Sequence, residues 1–327
     1  MSARGKDARP RAGNAGLIAS VMIAIAGAVL GALAAFVGEF GAAATASRIV
    51  VTDQPSALVL QDKTPRAEIV RRVLESEPPA RLEAPSLVSP SAPRPKIVIV
   101  LDDIGVDPDA AERALRLPGP VTYSVLPYAA NAGALVDRAI EAGREVFLHL
   151  PMEPIGDSDP GPYALRTDMS GAEFIRALEW NLSQFGGYAG VNNHMGSKFT
   201  ADEAAMKTLL AYLKERGVLF LDSVTTGSTA AGRAGVQVGA EVIQRDVFLD
   251  ATPNDSDEVR RQLHLVERIA IETGYAVAIG HPRAETLEAL GPWLTTAQAR
   301  GFDLTTVTAI AAPEPLQVMT AAPDLRL

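Results

Sequence analysis

The chain has 327 residues, 47% of them hydrophobic and 21% charged, which excludes a wholly disordered or collagen-like protein. Its 39 acidic and 30 basic residues leave a formal net charge of −9, so it lacks the basic footprint that binding nucleic acid through phosphates requires. It has no cysteine, which excludes disulfides, thiolate zinc sites, iron–sulfur clusters and a cysteine nucleophile, and leaves His, Asp and Glu as the only side chains able to hold a metal.

The N-terminus is basic, with Arg4, Lys6, Arg9 and Arg11 against Asp7 alone. An uncharged, Gly/Ala-rich apolar run from Ala15 to Gly38 follows. It is long enough to cross a bilayer, and its basic flank predicts a cytoplasmic N-terminus with the remainder exported. Ala44-Thr45-Ala46 offers a signal-peptidase site. The apolar run exceeds a usual signal core, however, so an uncleaved inner-membrane anchor is the preferred reading and a cleaved leader the alternative. Residues 39–95 read as a Pro-rich linker, with prolines recurring from Pro55 to Pro95. Within it, Pro65 to Glu77 has a short helical pattern, with Ile69, Val73 and Leu74 sharing a face.

From Lys96 to Ala312 apolar runs alternate with amphipathic stretches, and the tail from Pro313 reads as disordered. Strands are predicted over Ile97–Leu101, Val121–Leu126, Val146–Leu148, Tyr188–Asn192, Val218–Leu221, Val247–Leu249, Ala276–Ile279 and Leu304–Val307. Helices are predicted after Asp107-Pro108 and Asn131, after the capping boxes Ser170/Glu173 and Thr200/Glu203, over Asp257–Glu272 and over Ala284–Arg300. About seven or eight strand–helix units with continuous apolar strands predict a parallel sheet under helices, either a closed or nearly closed (β/α) barrel or, as the alternative, an open doubly wound sheet. No glycine pattern of the dinucleotide or P-loop type follows any strand.

In a parallel barrel the strand C-termini share one face, and polar groups gather there in this sequence. The strands end in Asp102-Asp103, in His149 to Pro154 with Glu153, in Asn192-Asn193-His194-Met195-Gly196-Ser197, in Asp222-Ser223, in Asp250 and in Gly280-His281. Asp107 and Asp255 are ordinary helix caps, and mid-helix His264 reads as structural or surface. The three histidines on the rim, with the paired acids, point to a metal or catalytic site. Two imidazoles and a carboxylate leave coordination positions open, with zinc the default ion. A metal there would acidify water, and a free carboxylate would take the proton.

The order DD-x-G, HLPMEP, NNHMGS, DS and GHP resembles the divergent polysaccharide deacetylase family, related to the NodB-like carbohydrate esterases. The resemblance covers Lys96 to Ile310 and implies a distorted (β/α) barrel and a divalent metal. It implies Asp102 as general base, His281 as general acid, and Asp103 and His149 as metal ligands. Glu153 stands where the second His of the esterases' H-x-x-x-H motif would fall, and His194 is the candidate to restore that imidazole, with another role left open. Asn192, Asn193, Ser197, Asp222, Ser223, Asp250 and Glu153 are candidates for substrate or supporting contacts.

The expected activity is metal-dependent hydrolysis of an acyl group on an envelope glycan by a periplasmic domain tethered to the inner membrane. The rival reading is a noncatalytic envelope barrel that binds glycan or protein. A phosphoester hydrolase has less support, because Lys198 is the only cation in the motif segments.

Overall fold

The computed structural model describes residues 65–76 and 93–311. The chain divides into two units, residues 1–61 and 62–327, and all described residues belong to the second. The predicted anchor at 15–38, most of the predicted linker and the predicted tail lie outside the described residues. No helix among the described residues is long and apolar enough to cross a membrane.

The strands are β1 (Lys96–Ile104), β2 (Thr122–Val125), β3 (Glu145–Met152), β4 (Gly190–Met195), β5 (Leu219–Asp222), β6 (Val242–Gln244), β7 (Val247–Phe248), β8 (Tyr275–Gly280) and β9 (Asp303–Thr305). The helices are α1 (Arg66–Glu75), α2 (Pro108–Leu115), α3 (Ala132–Glu141), α4 (Gly171–Leu182), α5 (Glu203–Glu215), α6 (Ala231–Val238), α7 (Ser256–Thr273) and α8 (Ala284–Ala297). All pairings between strands are parallel, in the order β6-β5-β4-β3-β2-β1-β8-β7, with β9 beside the start of β1.

The two end strands of this order, β6 and β7, are consecutive in the chain and separated only by Arg245 and Asp246. Asp222 O still accepts from Arg245 N on the β5 side, and Val277 O accepts from Asp246 N on the β8 side. One extended segment thus leaves one edge of the sheet and joins the other, which requires the sheet to curl round on itself. The open-sheet alternative is excluded by this connection. The missed elements were α6 and β6, both short, in a stretch where only Val247–Leu249 carries a strand signal.

Period-2 alternation divides the strand residues between two cores. Ile97, Ile99 and Leu101 pack under the helices, in the larger cluster. Val98, Val100, Phe147, Leu219, Leu221, Val277 and Ile279 fill the inside of the curl. Both faces are apolar because both are covered, as expected for parallel strands.

Ser170 and Glu173 form the predicted reciprocal cap at α4. The second predicted capping box is not formed. Thr200 is buried and its hydroxyl donates to Gly196 O, while Asp202 caps α5 through Ala205 N. Helix α1 buries Val70 and Val73 with Ile69 partly covered, whereas Leu74, predicted on the same face, is exposed. Arg66 at its start reaches both carboxylate oxygens of Asp246, at 2.9 and 2.8 Å, and latches α1 to the residue that bridges the sheet edges.

Candidate metal centre

The alternation that fills the curl also aims the site. The next inward positions after Val100, Phe147, Leu221 and Ile279 are Asp102, His149, Ser223 and His281, and on β4 Gly190 is followed inward by Asn192 and His194. Register brings them together, because His149 pairs with Asn192 and Leu101 pairs with Gly280. Asp103 should point outward by parity. Its φ of 58° and a register irregularity between Leu101 and Ile104 turn it back toward the cleft, so both adjacent acids serve one site.

The result is a cleft of about 450 Å³ lined by Asp102, Asp103, His149, Asn193, His194, Ser223, Arg245, Phe248 and His281, among others. Asp103, His149 and His194 form one group whose ligand atoms lie within 4.8 Å of one another. Asp103 Oδ1 is 3.2 Å from His149 Nε2 and 2.9 Å from His194 Nδ1. That oxygen is buried and accepts no hydrogen bond. A buried carboxylate oxygen left without a hydrogen bond beside two imidazole nitrogens is the donor arrangement of a cation site, and one carboxylate with two imidazoles suits a divalent ion with open positions. Burial alone would raise the Asp103 carboxyl, but the His149 and His194 imidazoles outweigh it and hold it well below the usual carboxylate range.

Around this group lies a buried polar network. His149 Nδ1 is 2.9 Å from Asn192 Oδ1, which also accepts from the Ser124 hydroxyl. Asn192 Nδ2 donates to Asp102 Oδ1 at 2.7 Å and to Ser223 Oγ at 3.1 Å. Asp102 is buried, and burial raises its carboxyl above the ordinary value against the lowering effect of His149 and His281. On the opposite wall, His281 Nδ1 is 3.0 Å from Asp250 Oδ1, while Asp250 Oδ2 accepts from His281 N and the Thr286 hydroxyl. His281 Nε2 faces Asp103 Oδ2 at 3.6 Å. Burial pulls the His281 imidazole down, but its bond to Asp250 prevails and raises it.

Three non-glycine residues on the cleft wall hold left-handed backbone, Asp103, Met195 and Val224, with φ of 58°, 52° and 50°. For β-branched Val224 this conformation is a true outlier, the kind of strain that collects at functional sites. Neighbouring polar groups restrain it. Asn193 bonds Met195 O and Ser223 N, Asp222 accepts from Val224 N, and Arg245 donates to Ser223 O and Val224 O. In the NNHMGS motif, Gly196 has φ +85° and a Cβ there would lie 2.8 Å from Met152 Cβ, so only glycine fits.

The remaining candidates are engaged elsewhere. Glu153 is buried and bonded to Lys198, Arg166 and Thr167, away from the metal-type group. Ser197 accepts from Ile155 N, and Asp222 is bound by Val224 N, Thr229 and Gln244. Mid-helix His264 sits on α7, beside Glu267. Arg245 is the charged cleft residue that the motifs do not reveal, since it lies in the link between β6 and β7.

Residues 99–311 match the profile of the divergent polysaccharide deacetylase family. The chain is 36% identical over 195 residues to the uncharacterized protein YibQ of Escherichia coli (strain K12), a match covering 60% of this chain and 61% of YibQ. It is 33% identical over 195 residues to an uncharacterized protein of Haemophilus influenzae (strain ATCC 51907 / DSM 11121 / KW20 / Rd), covering 60% of this chain and 69% of that one. The match thus spans less than two thirds of YibQ. Among solved structures it is similar to the uncharacterized protein ATU2773 from Agrobacterium tumefaciens C58, with a TM-score of 0.65 and 27% identity over 68% of this chain and 91% of that one.

Proposed function

The chain belongs to the divergent polysaccharide deacetylase family, and on that premise we propose that it is a metal-dependent hydrolase that removes an acyl group from an envelope glycan. The observation that carries the reading is Asp103 Oδ1, buried without a hydrogen bond and flanked at 3.2 and 2.9 Å by nitrogens of His149 and His194. In this reading the curled sheet is a NodB-like distorted barrel. The domain works in the periplasm, tethered by the apolar run at 15–38.

Asp103, His149 and His194 would hold the ion, and zinc is the default for such a set. Once bound, the ion supplies Lewis acidity toward the acyl carbonyl and makes water easier to deprotonate. Asp102 is the base. Asn192 engages its Oδ1 at 2.7 Å, Oδ2 accepts a long hydrogen bond from the Ser223 hydroxyl at 3.5 Å and is the oxygen that takes a proton, and its raised carboxyl is better matched to that task than an ordinary one. His281 is the acid. Asp250 accepts at Nδ1 and favours the imidazolium, so Nε2 carries a proton toward the cleft for the leaving amine or hydroxyl. The proton taken by Asp102 and the proton given by His281 balance over one turnover.

The test is metal content and acetate release on acetylated glycan fragments by the full chain, Asp103→Asn and His281→Ala. The expected wild type binds zinc and loses activity to a chelator. Asp103→Asn loses metal and activity together, and His281→Ala keeps metal while losing about 10²- to 10⁴-fold in kcat. A wild type that is inactive and metal-free across zinc, cobalt, nickel and manganese overturns the reading. Chelator-insensitive binding of peptidoglycan fragments without turnover supports the noncatalytic barrel instead.

A further inference from the structure

The proposed chemistry leaves one cation on the cleft wall without a task. Arg245 donates through Nε to Ser223 O at 2.7 Å and through Nη2 to Val224 O at 2.8 Å, and its guanidinium lies 5.0 Å from the Phe248 ring centroid. These contacts fix the guanidinium plane, and all are with neutral groups. The acids whose charges it feels are each committed elsewhere. Asp102 is held by Asn192 and Ser223, Asp222 by Val224 N, Thr229 and Gln244, and Asp246 by Arg66 and Val277 N. Among the described residues no ion pair joins Arg245 to a carboxylate. A half-buried guanidinium, oriented by the backbone and with no carboxylate in ion-pair contact, is built to receive an anion.

We propose that Arg245 is a specificity-determining residue that docks a carboxylate of the substrate, so that the acyl sugar taken up carries a carboxylate close to the scissile acyl group. A carboxylate fits better than a phosphate because Arg245 is the sole Lys or Arg among the residues lining the cleft, enough for a single negative charge. The substrate class rests on the hydrolase reading, whereas docking of the carboxylate requires no turnover.

The experiment is calorimetric titration of the full chain with N-acetylmuramic acid, its methyl ester and N-acetylglucosamine, with zinc and after chelation, for wild type, Arg245→Gln and Arg245→Lys. Wild type is expected to bind the acid about 10- to 100-fold more tightly than the ester, the range for a hydrogen bond to a charged group. Arg245→Gln flattens the difference, Arg245→Lys keeps part of it, and the pattern persists after chelation. Equal binding of acid and ester by wild type overturns the proposal, and this comparison needs no variant to fold. So does a preference untouched in Arg245→Gln, or one that vanishes with chelator, which assigns the carboxylate to the metal. Sodium acetate serves as a competitor. Acetate binding that Arg245→Gln removes, without an acid–ester difference in wild type, assigns Arg245 to the released acid and also overturns the proposal. An acid preference without acetate release from any substrate defeats the hydrolase reading alone, and turnover without the preference defeats this inference alone.

Discussion

Nδ1 of His149 lies 2.9 Å from Oδ1 of Asn192, and that contact sets which ring nitrogen faces the cleft. Asn192 gives its amide protons to Asp102 and Ser223, so its oxygen is the atom presented to His149. His149 Nδ1 therefore carries a hydrogen, and Nε2, which faces Asp103, is the nitrogen whose lone pair becomes available to a metal once its proton leaves. Such a contact is the outer support that fixes tautomer and ring angle wherever a histidine ligates a metal, as proposed for His149. Asn192→Ala is expected to weaken zinc binding about 10- to 100-fold, read by competition with a chromophoric chelator. It should also destabilise the fold by about 1–3 kcal/mol, because Asp102 and Ser124 lose buried partners. Zinc affinity equal to wild type would remove Asn192 from this role.

Asp103 holds left-handed backbone, which asparagine tolerates, so Asp103→Asn removes the charge with little backbone penalty. Zinc at about 100 times its Kd should stabilise wild type by about 2.7 kcal/mol and leave Asp103→Asn almost unmoved in a thermal melt. The affinity also has a pH sign. Burial pulls the His149 imidazole down, but the Asp102 and Asp103 carboxylates prevail and raise it. A protonated imidazole cannot ligate, so zinc affinity falls as pH drops through that raised value, and zinc binding near neutrality releases protons. Zinc titrations in buffers of different ionisation enthalpy measure the release. A titration with no proton release contradicts His149 as a ligand.

Much of this site was legible because the polar residues interrupt apolar runs. The DD, HLPMEP and GHP segments stand out because each directly follows an apolar run, Ile97–Leu101, Val146–Leu148 and Ala276–Ile279, and NNHMGS directly follows Val191. What could not be read was direction. With both sheet faces apolar, alternation carries no label for inside and outside, so Ser223, which lines the cleft, and Asp222, which turns away to Thr229 and Gln244, looked equivalent. Asp103 breaks the alternation through its backbone, which residue types alone do not announce. Glu153 occupied a motif position but is drawn off by Lys198 and Thr167, contacts between segments that no local pattern encodes. Arg245 was invisible for a further reason. Its place on the wall depends on a three-residue strand and a two-residue crossing of the sheet edges.

The His281–Asp250 pair predicts a stability window. His281 is raised in the folded state, so its contribution is full below the unfolded value of about 6.5 and is lost as pH rises through the folded value. For Asp250, burial would raise the carboxyl, but His281 prevails and lowers it, so its contribution is present above about 3.9 and lost as pH falls through the folded value. Urea denaturation of metal-free wild type and Asp250→Asn should therefore differ most between about pH 4 and 6.5, and the gap should narrow toward about pH 9 to the part that the His281 N and Thr286 bonds to Asp250 supply. The ring titration of His281, followed by NMR, should move to lower pH in Asp250→Asn. An unmoved midpoint would separate the two residues energetically.

Glu153 gives the opposite pH dependence, free of the proposed metal chemistry. Its buried carboxylate would be raised by burial, but Lys198 and two bonds from Thr167 overcome this and lower it to about 2. Its stabilisation is present above the unfolded value of about 4.3 and fades as pH falls toward the folded one. Those contacts join the loop after β3 to the NNHMGS segment, since Glu153 O also accepts from Lys198 N and Phe199 N. Glu153→Gln keeps the shape and loses the charge, so it is expected to cost about 1.5–3 kcal/mol at pH 7, the range for hydrogen bonds to a charged group. The gap from wild type should hold down to about pH 5 and close as pH approaches 2. Zinc affinity at pH 7 should change little, because the carboxylate is directed at Lys198 and Thr167 and lies outside the Asp103–His149–His194 group. Loss of zinc from Glu153→Gln with stability unchanged would instead make Glu153 the ligand that its motif position implies.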